Sequence, residues 1–338
     1  MGRRILMKKK NYLWLPILFL AACSSEGALQ QLLGTGAEAP VFLDSRPVSS
    51  TEMVFSFSSP VKVVSLEFDP PMEIKSVEEG NEVRINFAAP LEEGIKITAD
   101  ILVEDAEKNT LNVIIPFRSR NDRMPALVFN ELRTEYSKPR VELVEFYAPE
   151  AGNLGAMRLF IAGQSLTKPV YEFSPAEVNT GEYIVLHLRT LDEGSVDETG
   201  DDLSLSPGTD AQKEARDFWL PGTAKILRKT DALWLLDQDD RIIDAILLSE
   251  HRDDEWSSDV MAEAAEFLGR NKAWLPADEA GEDWIPCPAE AFITAGTTAT
   301  RTICRDETLS PQARAANWYI TATSSATPGK PNNPKRYN

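Results

Sequence analysis

Two histidines and three cysteines are all the imidazole and thiol chemistry this chain carries, set against 53 aspartates and glutamates. His187 lies between Leu186 and Leu188 in an apolar run, and His251 lies in a polar turn beside Arg252 and Asp253. No G-x-S-x-G elbow or H-E-x-x-H motif is present, so neither histidine has a serine or metal partner at an activating spacing. Cys287 and Cys304 do not have a zinc-ligand spacing, and His251 is the nearest histidine to them. Carboxylates crowd one loop: Asp192, Glu193, Asp197, Glu198, Asp201 and Asp202. Such loops can ligate calcium, which makes Asp197, Asp201 and Asp202 weak candidate ligands. The spacing is not that of an EF-hand, however, and acidic loops are mostly solvated. A glycosidase-type carboxylate pair is assembled in space and leaves no trace in a sequence this acidic. No catalytic set and no cofactor is therefore expected. Three tryptophans, Trp256, Trp274 and Trp284, sit close together and either form a partner contact or pack their segment onto the rest of the chain.

The elements that would position these groups are strands. With 338 residues and 43% apolar side chains the chain can bury a core, and its length favours two domains. The balance of 53 acidic against 35 basic residues repels phosphate backbones, so no nucleic-acid partner is expected. Period-2 runs begin with Met53, Phe55 and Phe57. They continue through Val83, Ile85 and Phe87, through Ile95 to Val103, and through Leu111 to Phe117. Turns fall at Asp69-Pro70-Pro71, Glu79-Gly80-Asn81, Pro90 to Gly94 and Asp105 to Thr110. The polar stretch Arg118 to Pro125 reads as a linker. Further strand-like runs follow at 126–132, 141–147, 157–161, 181–188, 232–236 and 242–248. A helix is expected with an N-cap at Ser257, Ser258 or Asp259. Its stripe is Val260, Met261, Ala264, Ala265, Phe267 and Leu268, and it ends before Gly269. Ser310-Pro311 is expected to start a second short helix.

The N-terminus reads as an address. Basic residues occupy 3–10, and the apolar run Asn11 to Ala22 is too short to span a bilayer. It ends in Leu20-Ala21-Ala22-Cys23, followed by Ser24-Ser25, which resembles the bacterial lipobox. That resemblance implies a signal peptide at 1–22, lipidation of Cys23, a tether at 23–40 and anchoring in a membrane. An ordinary secretory signal that happens to contain a cysteine is the alternative. Ser24 in place of Asp resembles the outer-membrane sorting pattern, so the expected location is the cell envelope, the outer membrane rather than the inner. Loss of residues 1–22 would leave 53 acidic against 30 basic side chains, an excess of 23 negative charges. In an exported chain the remaining pair, Cys287 and Cys304, most simply forms one disulfide; buried free thiols are the alternative.

Two further resemblances concern the body of the chain. Pro47 to Ser50, Val54 to Val61, Pro90-Leu91 with Gly94, and Val103 to Leu111 ending in Pro116-Phe117 resemble bacterial Ig-like modules. Lys108 stands where those modules carry the glycine of "D-x-x-G-N". Phe129 to Leu132, Val144 to Pro149, Asn153 to Leu159, Asn179 to Leu186, Asp231 to Asp244, Arg301 to Arg305, Asn317-Trp318-Tyr319 and Ala326 to Asn332 resemble, in order, the segments of lamin tail domains. Asp239-Asp240 stands where a turn glycine is usual. The resemblances imply an all-β protein: two Ig-like β-sandwiches in tandem, at 41–122 and 123–334, the second with a partly helical insertion. Its two longer stretches, 191–220 and 249–309, are expected to carry what is particular to this protein. The resulting expectation is a non-catalytic, lipid-anchored envelope protein that binds a protein or envelope partner. A hydrolase with its site in 249–309 is the alternative.

Overall fold

The computed structural model describes residues 39–278, 281 and 283–337. Cys23, the export segment and the tether up to residue 38 lie outside the described residues.

The protein is all-β in class, with a single α-helix among the described residues. The first unit has six strands: β1 (Phe42–Ser49), β2 (Glu52–Asp69), β3 (Ile74–Glu78), β4 (Gly80–Phe87), β5 (Lys96–Glu104) and β6 (Thr110–Arg118). The 18-residue β2 organises it. Its first half pairs with β1 and β4, its register shifts between Ser56 and Val61, and its second half pairs with β5. Sheet order β3-β4-β2-β5-β6 with β1 on β2 therefore folds around one strand. The enclosed cluster includes Phe55, Phe57, Val83, Ile85, Ile97 and Ile101, each at most 2% exposed. Burial of each such side chain is worth roughly 1.5–3 kcal/mol. The expected alternation holds in β4 and β5 but not at Val54, which is fully buried. Its cross-strand neighbours are Arg46 and Arg84, both paired with Glu82, so their aliphatic stems lie on either side of it.

The turn after β5 keeps a left-handed residue even without glycine. Lys108 has φ 69°, and the Asp105 carboxylate accepts the Asn109 N–H at 2.8 Å to hold the loop. Asp240 does the same between later strands, with φ 62°. Both positions are those where the resembled families place glycine, and aspartate tolerates this region better than lysine.

The second unit has its own core, drawn from residues 127–318. Its strands are β7 (Val128–Arg133), β8 (Leu143–Tyr147), β9 (Gly152–Asn153), β10 (Arg158–Ile161), β11 (Tyr171–Glu172), β12 (Glu177–Val178), β13 (Tyr183–His187), β14 (Arg216–Trp219), β15 (Asp231–Leu236), β16 (Ile242–Ser249), β17 (Phe292–Ile293), β18 (Ile303–Arg305) and β19 (Trp318–Ile320). A six-stranded sheet, β14-β13-β8-β7-β18-β19, faces a five-stranded one, β11-β10-β15-β16-β17, and β9 pairs with β12. Both sheets contribute to the cluster, Phe129, Phe146 and Ile303 from one and Leu159, Leu233 and Leu247 from the other. Helix α1 (Asp259–Arg270) packs on β15 and covers the far face of the five-stranded sheet, with Met261, Ala264, Ala265 and Leu268 buried. That cover explains why Ala232–Leu236 is buried on both faces and reads as a continuous apolar run.

Several expectations are corrected here. Val260 and Phe267, placed on the buried stripe of the helix, are 43% and 38% exposed, because the buried stripe is narrower than the apolar one. No helix starts at Pro311; a 3-10 turn forms at Ala315–Asn317 instead. The stretch 249–309 is not an appendage, since it supplies β17, and β18 lies between β7 and β19. Within 191–220, β14 likewise adds a parallel strand to β13. The linker 118–125 is a partly buried seam: Ser119 is 1% and Asn121 3% exposed, while Asp122 and Arg123 face solvent. The Asn121 amide donates to the carbonyls of Asn153 and Gly155, both at 2.8 Å. Arg120 forks onto Asp239, and Arg123 bridges Glu93 of the first unit and Glu177 of the second. At this seam Gly94 has φ +67°, and a Cβ there would come within 2.6 Å of the Gly155 backbone.

Candidate functional site

Strand alternation gives the six-stranded sheet two chemically different faces. Val144 and Phe146 of β8, and Ile184 and Leu186 of β13, point into the core. The alternate residues point the other way, and register aligns them in rows across the strands. One row is Val128, Tyr147 and Tyr183; the next is Cys304, Glu131, Glu145 and Val185; a third is Arg133, Leu143 and His187. The outward rows thus mix polar and tyrosyl residues with the apolar Val128, Leu143 and Val185.

This outer face is not open to water. The segment 326–333 lies over the carboxyl row. Glu131 accepts the Thr327 N–H at 3.1 Å, and Glu145 accepts the Gly329 N–H and the Asn130 amide, the latter at 2.9 Å. Both carboxyls are 0% exposed. Burial pushes both above the ordinary carboxylate range, and the neighbouring Glu131 pushes Glu145 further. Two opposed, dehydrated carboxyls favour holding a proton over carrying two charges. Burial, with Glu131 beside it, also drives the Cys304 thiol up, so it is a thiol and not a nucleophilic thiolate.

His187 occupies the third row, fully buried. Its Nε2 lies 2.8 Å from Asp217 Oδ1, and its ring stacks on Trp219 at 3.9 Å. Asp210 lies close by, engaged by Arg133 Nη1 at 2.6 Å and the Val141 N–H at 2.9 Å. A histidine–carboxylate pair this enclosed has no substrate access and no nucleophile beside it. His251, by contrast, is exposed in a turn at the end of β16.

Where the outer face reaches the first row it opens into a cavity of about 280 Å³. Its walls are Val128, Tyr147, Tyr183, Pro149, Leu309, Pro311 and Pro331, and its polar lining is Asn130, Arg305 and Glu307. The two tyrosine rings are 5.2 Å apart and tilted by 51°. Glu307 Oε1 accepts the Asn332 N–H at 3.1 Å and lies 3.4 Å from the Asn130 amide and 3.5 Å from the Tyr183 hydroxyl. Burial and the Glu307 charge raise the Tyr183 phenol, which stays a neutral donor. Arg305 is spent on Asp244, the Phe129 carbonyl and the face of Trp318. The arrangement can grip one side chain; it brings no acid, base and nucleophile together.

The residues singled out from sequence fall elsewhere. Cys287 and Cys304 are free, which corrects the expected bridge. Cys304 points to the outer face of the six-stranded sheet against Glu131. Cys287 caps a 3-10 turn, Pro288–Glu290, that contacts β16 in the opposite sheet. The strands of one sheet therefore stand between the two sulfurs. Trp274 is fully buried in the core and cannot meet a partner. Trp256 and Trp284 are half-buried, and their indole N–H groups donate to Pro286 O and Glu290 Oε1 at 2.8 and 2.9 Å. The three tryptophans thus hold residues 284–290 against α1. Asp197 is engaged by the Tyr171 hydroxyl and the Trp219 N–H, Asp202 caps Ser204, and Asp201 is exposed. Among the described residues no three His, Cys, Asp or Glu side chains gather around a metal position. Among them, too, no helix is long and apolar enough to cross a membrane. Tyr147, Tyr183 and Glu307 escaped the sequence reading. The available signal was the outward-facing Glu145 and Tyr147 in VEFY and the outward-facing Tyr183 and His187 at either end of YIVLH.

Comparison with known proteins places the second unit. The family model described as "TP_1001_2nd: protein second domain" matches residues 125–320. A protein of Treponema pallidum (strain Nichols), described as "Uncharacterized protein", is 34% identical over 116 residues, covering 34% of this chain and 29% of that one. The match therefore spans less than a third of that relative's length.

Proposed function

The chain belongs to the TP_1001_2nd protein second-domain family, and from that premise we propose that it is a non-catalytic binding module of the cell envelope. The observation that carries this reading is the cavity at the Tyr147–Tyr183 pair. It is the place where the polar outer face of the six-stranded sheet meets solvent, with rigid aromatic and proline walls. Rigid walls lose little entropy when a partner side chain enters. The buried Glu131, Glu145 and His187 sit under loops, which favours a structural role for them over a hydrolytic one. We read the two units as tandem Ig-like sandwiches, the second related to lamin tail domains. The two facing sheets and the left-handed residues at Lys108 and Asp240 support this. The export layout of residues 3–23 supports a lipid anchor at Cys23, at the outer membrane rather than the inner.

Two measurements test the reading. Cys23→Ser should abolish lipid labelling and membrane partitioning, and a variant that still partitions as a lipidated species removes the anchor. Panning a random peptide library against the purified protein should return a consensus that binds at least about tenfold more weakly to Tyr183→Ala. Unfolding of that variant should be little changed. A consensus indifferent to Tyr183→Ala and Leu309→Glu would move the binding site off this cavity.

A further inference from the structure

We infer that the cavity selects a cationic side chain, the ammonium of a lysine or the guanidinium of an arginine, presented by a partner polypeptide. The inference rests on the binding-module reading above and adds the chemistry of the ligand. Glu307 is the reason. Its carboxylate lines the cavity, and its partners there are neutral donors at 3.1 Å or longer. Neutral amide and hydroxyl donors solvate a carboxylate without cancelling its charge, and a charge-assisted bond to a cation is stronger than any of them. The one cation lining the same cavity, Arg305, is already neutralised by Asp244 and fixed against Trp318. The carboxyl row behind the cavity adds no positive charge, since Glu145 lies beside Asn130 at its floor.

The walls suit the same ligand. Two tyrosine rings tilted at 51° to each other line it, and the π-face of a tyrosine attracts a cation, while three prolines offer no competing hydrogen-bond donor. A cavity of about 280 Å³ is at the lower end of ligand sites and accommodates one long side chain rather than a cofactor. Lysine and arginine bury an aliphatic stem while keeping the charged head on polar groups, which matches apolar walls above a carboxylate. The acidic excess of the whole chain, 53 against 35, would favour approach of a basic partner.

The test is a titration of the purified full chain with tyrosine-ring-labelled NMR, using N-acetyl-lysine amide, its uncharged analogue N-acetyl-norleucine amide, and tetramethylammonium. The lysine probe should shift the Tyr147 and Tyr183 ring signals and bind at least about fivefold more tightly than norleucine. Glu307→Gln should reduce lysine affinity to that of norleucine and leave norleucine unchanged. Should that variant fail to fold, the wild-type protein gives the same answer through salt, which should weaken lysine binding and spare norleucine. Equal binding of lysine and norleucine, or salt-insensitive lysine binding, overturns the cation inference and leaves the pocket reading standing. Binding of tetramethylammonium alone overturns the polypeptide side chain as ligand. Absence of any ring shift with every probe, in folded protein, overturns both readings.

Discussion

Asp231 shows how a single buried carboxyl sets a pH dependence. It is 0% exposed at the start of β15, and its two oxygens accept the N–H groups of Gly163, Ala232 and Arg228 at 2.8, 3.0 and 3.2 Å. Burial outweighs those bonds and pushes it up to about 6. The folded state therefore holds this proton to a higher pH than the unfolded chain does. Its stabilising contribution is complete below about pH 4 and is lost as pH rises through about 6. The shift of about two units corresponds to about 3 kcal/mol. Asp231→Asn is neutral throughout, so its stability relative to wild type should rise by up to that amount between about pH 4 and pH 7. Denaturant unfolding at the two ends of that range measures the change, and a constant difference would refute it. The same linkage sign applies to Glu131 and Glu145, both of which burial raises.

At the scale of elements, the segment from α1 to β18 is part of the fold. It was legible in sequence as a capped helix with three tryptophans and two cysteines. That inventory suits an ordered recognition device as well as it suits structure. The deciding fact is pairing: Ile303 and Cys304 of β18 pair with Leu132 and Glu131 of β7, and all three residues of β18 pair with β19. Arg305, from the same strand, satisfies the buried Asp244 carboxylate and the Phe129 carbonyl. Deleting 252–308 would expose both neighbouring strand edges and leave that carboxylate dehydrated and unpaired. We expect the deletion to aggregate or to lose its cooperative transition. Trp274→Ala alone should cost about 3–5 kcal/mol, as a large core aromatic does. A deletion that unfolds cooperatively, with near-wild-type stability in circular dichroism, would return the segment to the status of an appendage.

Among the described residues, the two large hydrophobic cores are joined by a polar seam. The seam's charged forks, Arg120 to Asp239 and Arg123 to Glu93 and Glu177, lie at partly exposed positions and contribute modestly. Asn121 is different, because its buried amide is the donor for two carbonyls. Asn121→Leu would leave the carbonyls of Asn153 and Gly155 without that donor, at a cost of about 1–3 kcal/mol. The cost falls on the joint rather than on either core. Limited proteolysis should therefore cut within 118–125 much faster in the variant, while each unit's unfolding midpoint moves little. Unchanged cleavage would mean that the seam is held by something other than this amide.

The residue pattern alone determined the all-β class and a helix starting at Asp259, although that helix runs on through Gly269 to Arg270, past the end expected for it. Each of these follows from local periodicity and capping, which neighbouring residues carry between them. Lys108 and Asp240 stand where a glycine was expected, and only the structure shows that both nevertheless take positive φ. Tertiary structure decided everything that depends on which face of a strand is covered. Glu131, Glu145 and His187 look solvent-facing by alternation, yet loops and the 326–333 segment enclose them. The cysteines are 17 residues apart in sequence but lie on different layers, so chain separation said nothing about their side chains' meeting. The tyrosine cavity was hidden for the same reason. Tyr147 and Tyr183 become neighbours only through the register of β8 against β13, and Glu307 joins them only because β18 is threaded beside β7.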